Sequence, residues 1–284
     1  MSTEPLLPSH DLEARVADLV SAIRSRSLLA PRVGLTLGSG LGGVLDAIEQ
    51  PVIFATRDLP HWPRSTVAGH SGRFALGHFG GVPVAALAGR SHRYEGYTLD
   101  RVTLAARVMH ALGARVLLFT NAVGAINQTF RPGELMLATD HINWIGRRGL
   151  FTPGELVERR TGRRAGSYYS PRLREAFTRA AARAGVPLHH GTLMGGQGPT
   201  YETAAEVRMA AAMGADVACM STVHEVTVAA ELGCEAASLS CITNLATGIS
   251  KTPLTHAEVT VVADQGAVGL RRILEEFLRG EAAR

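Results

Sequence analysis

Short, well-separated segments of this chain concentrate side chains suited to holding an oxyanion. Gly38-Ser39-Gly40-Leu41-Gly42 offers a hydroxyl and exposed backbone N–H groups on a glycine turn, where small residues let an anion approach the main chain. Gly89-Arg90-Ser91-His92-Arg93-Tyr94-Glu95-Gly96-Tyr97 adds a planar guanidinium fork, an imidazole and aromatic rings directly after an apolar run. In an extended stretch Arg90 and His92 share a face, because side chains alternate with period two. Thr120-Asn121-Ala122 and the stretch from Ser240 to Asn244 also put small or polar residues behind apolar ones. Each could be an ordinary turn. Together they imply one site assembled from distant segments at the ends of strands.

Other chemistries fit these residues less well. Gly38 to Gly43 satisfies the dinucleotide pattern G-x-G-x-x-G, and Asp58 stands at about the distance expected for the ribose-binding acid. Asp58, however, lies in Arg-Asp-Leu-Pro-His-Trp-Pro, which does not read as the end of a second buried strand. Gly69-His70-Ser71-Gly72-Arg73 approximates a nucleophile elbow, but Arg73 replaces the closing glycine, which disfavours a serine hydrolase. Lys251 is the only lysine, and in Ser-Lys-Thr-Pro it fits neither a Walker A loop nor a desolvated Schiff-base site.

Cys219, Cys234 and Cys241 have no CxxC or zinc-ligand spacing, so no metal is expected and the thiols read as reduced and buried. The formal charge of +4 comes from scattered arginines, without the basic stripe of a nucleic-acid reader. No apolar run reaches the length of ~20 residues that a membrane span needs, and Met-Ser-Thr-Glu-Pro lacks the basic-then-apolar pattern of a secretory signal, so none is expected. A cytoplasmic protein without nucleic-acid or membrane partners is expected.

The elements that must position these residues are legible as alternating short apolar strands and longer amphipathic helices. Leu12, Val16, Leu19, Val20 and Ile23 predict a first helix over about residues 10–27. Strands are predicted at 33–37, 82–87, 115–120, 135–138 and 236–241, and further helices at 99–112, 172–184, 203–213, 223–231 and 257–278. The pattern predicts an α/β protein, and with no repeat or low-complexity linker, residues 1–284 are read as one domain. The Arg-, Gly- and Pro-rich stretch at about 145–170 is long for a connection and suggests a lid or an interface segment.

These motifs, with Gly198-Pro199-Thr200-Tyr201-Glu202-Thr203-Ala204-Ala205-Glu206, Met220-Ser221-Thr222-Val223, Ile242-Thr243-Asn244 and His256-Ala257-Glu258-Val259, resemble in order those of the trimeric purine nucleoside phosphorylases. The resemblance runs from about Val33 to Val259. It implies a single-domain nucleoside phosphorylase fold, with a mixed, distorted, partly barrel-like sheet flanked by helices. It also implies phosphate ligands at Ser39, His70, Arg90, His92, the Ala122 backbone and Ser221. Tyr94, Met220 and His256 correspond to ribose contacts, Tyr201 faces the purine ring, and Glu202, Thr243 and Asn244 belong to the nucleoside site. Asn244, Glu202 and His92 would carry the catalysis, with inorganic phosphate as co-substrate and no cofactor.

An ionised Glu202 accepts from the N1–H of hypoxanthine or guanine but meets a lone pair on adenine. That favours inosine and guanosine over the substrates of the related methylthioadenosine phosphorylases, which carry other residues at positions 202 and 244. A nucleoside sensor of the same fold would not need the phosphate ligands. The chain departs from the family's pattern at His224, where proline is usual. Family members also pass an aromatic from the region of 145–170 to the neighbouring subunit's ribose site. Tyr168 and Tyr169 are the candidates here, and a homotrimer is expected.

Overall fold

The computed structural model describes residues 10–67, 70–145, 168–250 and 256–282. Its centre is a nine-stranded mixed sheet. The strands are β1 (Val33–Leu37), β2 (Glu49–Ala55), β3 (Arg73–Phe79), β4 (Val82–Ala88), β5 (Val116–Ala125), β6 (Leu135–Asn143), β7 (Leu188–Gly195), β8 (Val217–Cys219) and β9 (Glu235–Leu245). Helices α1 (His10–Arg24), α2 (Leu99–Val102), α3 (Leu104–Leu112), α4 (Pro171–Ala184), α5 (Ala204–Ala212), α6 (Val223–Glu231) and α7 (His256–Ala282) flank it.

Every residue of β1 is buried, as expected of a parallel strand covered on both faces. It runs parallel to β4 and β5, while β2, β3 and β4 form an antiparallel meander at one edge. At the other end the sheet closes on itself. β5 pairs with both β8 and β9, and β8, β7 and β6 lead round to β9 again. This ring with an open wing is the expected partly barrel-like sheet.

Two apolar layers hold the helices to it. Leu12, Leu19 and Ile23 of α1 are buried with Leu104, Val108 and Met109 of α3 and Val223 and Val226 of α6. On the opposite side Leu173 and Phe177 of α4 pack with Leu270, Ile273, Leu274 and Phe277 of α7. The Phe177 and Phe277 rings stack with centroids 4.1 Å apart and planes 7° from parallel.

Several boundaries differ from the sequence expectation. The first helix ends at Arg24, before residue 27. The helix expected at 99–112 is interrupted at Thr103, whose hydroxyl donates to the Leu99 carbonyl at 2.7 Å. β2, β3, β7 and β8 were not anticipated. β5 and β9 do not stop at Thr120 and Cys241 but continue to Ala125 and Leu245, because ring closure gives their polar ends backbone partners. Most of the predicted 145–170 segment lies outside the described residues.

Candidate active site

The glycine turn after β1 owes its shape to close packing. A Cβ on Gly38 would lie 2.8 Å from both the Asn121 Cα and the Thr120 carbonyl oxygen. Gly40 has a φ of +73°, and a Cβ there would come within 2.4 Å of the Ala263 Cβ on α7. The glycines let the turn close against β5 and α7, and the Gly38 N–H donates to Thr120 Oγ1 at 3.1 Å. No βαβ unit follows. A 3-10 turn at Gly42–Ala47 leads into β2, which pairs with β3 rather than beside β1, and Asp58 sits in the 3-10 turn Thr56–Asp58. The dinucleotide reading is thereby removed.

Ser39, held by that turn, lines a cavity of about 120 Å³ together with Arg90, His92, Ala122 and Ser221. Arg90 is buried just past the end of β4. Its Nη1 donates to Ser221 Oγ at 3.2 Å, its Nη2 donates to the Thr120 carbonyl at 2.7 Å, and its Nε lies 3.3 Å from Glu225 Oε2. The guanidinium is therefore oriented by three elements.

His92 is fixed by Glu95, whose Oε1 lies 3.1 Å from Nδ1 and accepts from the His92 N–H at 2.7 Å. The second oxygen of Glu95 accepts from the Thr66 N–H and hydroxyl. Burial works against ionising Glu95, but hydrogen bonds from His92 and Thr66 prevail and bring its pKa to about 2. With a carboxylate on Nδ1, His92 turns Nε2 toward the cavity.

His70 does not line the cavity but stands behind it. Its ring stacks on His92 at 5.5 Å, and its Nε2 is 2.9 Å from Ser39 Oγ. Burial first, then the neighbouring His92 and Arg90 charges, lower its pKa to about 4. On its outer side a larger cavity of about 310 Å³ is lined by Arg57, Trp62 and Arg64 and lacks every residue expected at a purine edge.

The first cavity is also lined by Tyr94, Tyr201, Glu202, Met220, Thr243 and Asn244. Between Val123/Ile242 and Gly124/Asn244 the register of β5 on β9 shifts, leaving Thr243 as an extra residue. Such a bulge breaks the alternation of faces, so Thr243 and Asn244 both reach the cavity. The Thr243 hydroxyl donates to the nearer of two acceptors, Asn244 Oδ1 at 2.8 Å, and Asn244 Nδ2 donates to the Leu245 carbonyl. This network orients the amide and, among the described residues, leaves one Nδ2 proton uncommitted.

Glu202 could have been an ordinary acid at a helix start. That role belongs to Glu206, which forms a capping box with Thr203 at the beginning of α5. Glu202 lies just ahead of the cap. Burial, with a smaller contribution from Glu206, raises its pKa.

All the cavity residues named from sequence therefore meet, apart from His70 in its supporting position and His256. His256 opens α7, but its side chain lies outside the described residues; Val259, one turn further on, lines the cavity. Tyr169 is 3 % exposed, sits in the core of its own chain and bonds His141 Nδ1 at 3.2 Å. It is not available to a neighbouring subunit. Tyr168 packs against the His141 ring within the same chain as well.

His224 does not disturb the start of α6, which begins at Val223 as expected. The helix is launched by Thr222, at φ 67° and ψ −47°, with the Val223 N–H closing on the Ser221 carbonyl at 2.7 Å. This is a strained γ-turn, rare for a β-branched residue. Asn121 Nδ2 donates to the Thr222 hydroxyl at 2.9 Å and helps hold it. Sequence reading missed Glu95, Glu225, Asn121 and Thr222. The first lay in plain view three residues after His92, at the spacing of a capping pair.

A nine-stranded sheet that closes into a ring, with this cavity where β5 and β9 bulge, defines an α/β nucleoside phosphorylase fold. A family model for the phosphorylase superfamily matches residues 32–279. Purine nucleoside phosphorylase 1 of Bacillus subtilis (strain 168) is 40% identical over 267 residues, covering 94% of this chain and 98% of the relative. The enzyme of that name from Geobacillus stearothermophilus is 42% identical over 253 residues, covering 89% and 92%. A crystal structure of Schistosoma mansoni purine nucleoside phosphorylase with adenosine superposes with a TM-score of 0.83 at 30% identity, covering 94% of this chain and 96% of that one. A complex with inosine gives 0.81 at 28% over the same shares. The chain belongs to the phosphorylase superfamily and, within it, to the purine nucleoside phosphorylases.

Proposed function

We propose that this chain catalyses the reversible phosphorolysis of purine ribonucleosides and 2′-deoxyribonucleosides, with inosine and guanosine preferred. The products are the free base and (2-deoxy)ribose 1-phosphate. The observation that carries the reading is the single cavity lined by both sets of groups. Arg90, His92, Ser39, Ser221 and the Ala122 backbone suit a phosphate, and Glu202 and Asn244 suit a purine edge.

Between them the glycosidic bond loosens toward an oxocarbenium ion while negative charge collects on the purine. The free Nδ2 proton of Asn244 donates to N7 as that charge builds, and Glu202 accepts from N1–H. Phosphate attacks the anomeric carbon from the opposite face. Tyr94 and Met220 would border the sugar, and His256 would reach its 5′-hydroxyl. The enzyme supplies positioning and electrostatic complementarity rather than a nucleophile, and phosphate provides the attacking oxygen without a cofactor. A homotrimer, with a neighbour completing each ribose site, is part of the same proposal.

Base release from inosine, guanosine and adenosine, each with and without phosphate, tests the reading. Release of hypoxanthine and guanine that depends on phosphate is expected. Base release that ignores phosphate would mark a hydrolase and overturn it, and preference for adenosine or its 5′-thioether analogue would move the chain to the methylthioadenosine type.

A further inference from the structure

Glu225 belongs to no part of the site as read from sequence, yet it touches the residue on which phosphate binding depends. It lies in the first turn of α6, and its Oε2 sits 3.3 Å from Arg90 Nε with both side chains almost wholly buried, at 6% and 4% exposure. Neither atom has a hydrogen bond of good geometry among the described residues, so the contact is an ion pair.

A guanidinium has five N–H donors. Here Nε faces Glu225, one proton on Nη1 goes to Ser221 and one on Nη2 to Thr120. Among the described residues one proton on each Nη remains, available to the oxygens of a phosphate. Loss of the Nε contact would remove one of the three contacts that orient the guanidinium and loosen the aim of those protons.

The charge of Glu225 has a second consequence. A buried guanidinium without a counter-ion is unfavourable, and Glu225 supplies one before phosphate binds. When phosphate arrives, two anions share one cation in a poorly screened setting and repel each other. We propose that Glu225 is a positioning residue for Arg90 whose charge also holds phosphate affinity down, so that the sugar phosphate can leave. This rests on the reading of Arg90 as a phosphate ligand.

The test compares Glu225→Gln, Glu225→Ala and Arg90→Ala in the full-length enzyme, measuring KM for phosphate and for inosine and inhibition by ribose 1-phosphate. Glutamine keeps a polar carbonyl oxygen of the same reach facing Nε but removes the charge. It should lower the phosphate KM and the ribose 1-phosphate Ki together, by about three- to tenfold, with the inosine KM unchanged. Alanine removes that oxygen and the charge together, and should raise the phosphate KM by about tenfold or more because Arg90 is no longer held. A merely structural role would not tighten phosphate binding in the glutamine variant. An unchanged or raised phosphate KM in Glu225→Gln overturns the proposal. Should Glu225→Ala not yield folded protein, the glutamine arm decides alone. Arg90→Ala keeps the two readings apart: an unchanged phosphate KM there would remove Arg90 from the phosphate site, whereas a large rise beside an inert Glu225→Gln would remove only Glu225's role.

Discussion

The carboxyl of Glu202 lies just ahead of a capped helix and is partly withdrawn from water, with one oxygen 3.3 Å from where a Cβ on Gly196 would stand. Burial raises its pKa above the usual 4.5, so it takes up a proton at a higher pH than an exposed glutamate. Ionised, it accepts from N1–H of hypoxanthine; protonated, it can donate to N1 of adenine. The ratio of kcat/KM for adenosine over inosine should therefore rise as pH falls from neutrality toward the raised titration range of this carboxyl. Glu202→Gln offers donor and acceptor at every pH and should flatten that profile, while lowering the inosine preference by roughly 10–100-fold, the worth of a charged hydrogen bond. A wild-type ratio that stays level with pH would take Glu202 off the purine edge. Asn244 can be tested more directly. Its oriented Nδ2 proton is a preorganised donor to a developing anion, and removing such a donor costs ~10²–10³ in kcat. Asn244→Ala should show that loss in single-turnover measurements, and a near-normal kcat would end the assignment.

Elements behaved less predictably than residues, for physical reasons. β1 and β4 were legible because burial on both faces makes them continuous apolar runs. β2 carries Pro51 and several exposed residues at the sheet's edge, β7 opens Leu-His-His-Gly, and β8 has only three residues, so none has a strong strand signal. The site segments of β5 and β9 looked like strand ends because their polar residues break the apolar run, yet ring closure keeps them in the sheet. Glu95, three residues after His92, ties the loop holding Thr66 to the short 3-10 turn that follows His92. Its pKa of about 2 is depressed, so its contribution to stability is complete above the ordinary 4.5 and fades as pH falls toward 2. Glu95→Gln should destabilise the protein at neutral pH, and the gap from wild type in urea unfolding should close between pH 4.5 and 2. The same variant should raise the phosphate KM, because His92 loses the acceptor that orients it. A stability gap that persists unchanged into acid would show that Glu95 acts by packing rather than by charge.

Across the whole molecule, the family's ordered motifs told which residues would meet, while the way they are held had to come from the fold. Ser39, Arg90, His92, Ser221, Glu202 and Asn244 all reach one cavity as the sequence implied. The bulge at Thr243 was invisible because it depends on the pairing of two strands far apart in the chain, and the γ-turn at Thr222 because a β-branched residue gives no sequence signal for a positive φ. Helix α7 joins the two levels. Its far end is anchored by Phe277 against Phe177, and its near end brings Val259 to the cavity and Ala263 against the Gly40 turn. Damage at the two ends should therefore have separable effects. Phe277→Ala removes a fully packed aromatic and should cost ~3–5 kcal/mol of stability in urea unfolding, with little change in kcat/KM of the folded enzyme. Gly40→Ala forces a positive φ and a 2.4 Å approach to Ala263, so either the turn or the helix must shift. Because Ser39 rides on that turn, the phosphate KM should rise sharply, well beyond any change produced by Phe277→Ala. If instead Phe277→Ala damaged phosphate binding as much as Gly40→Ala, α7 would be transmitting strain along its whole length. The site could then no longer be treated as locally built.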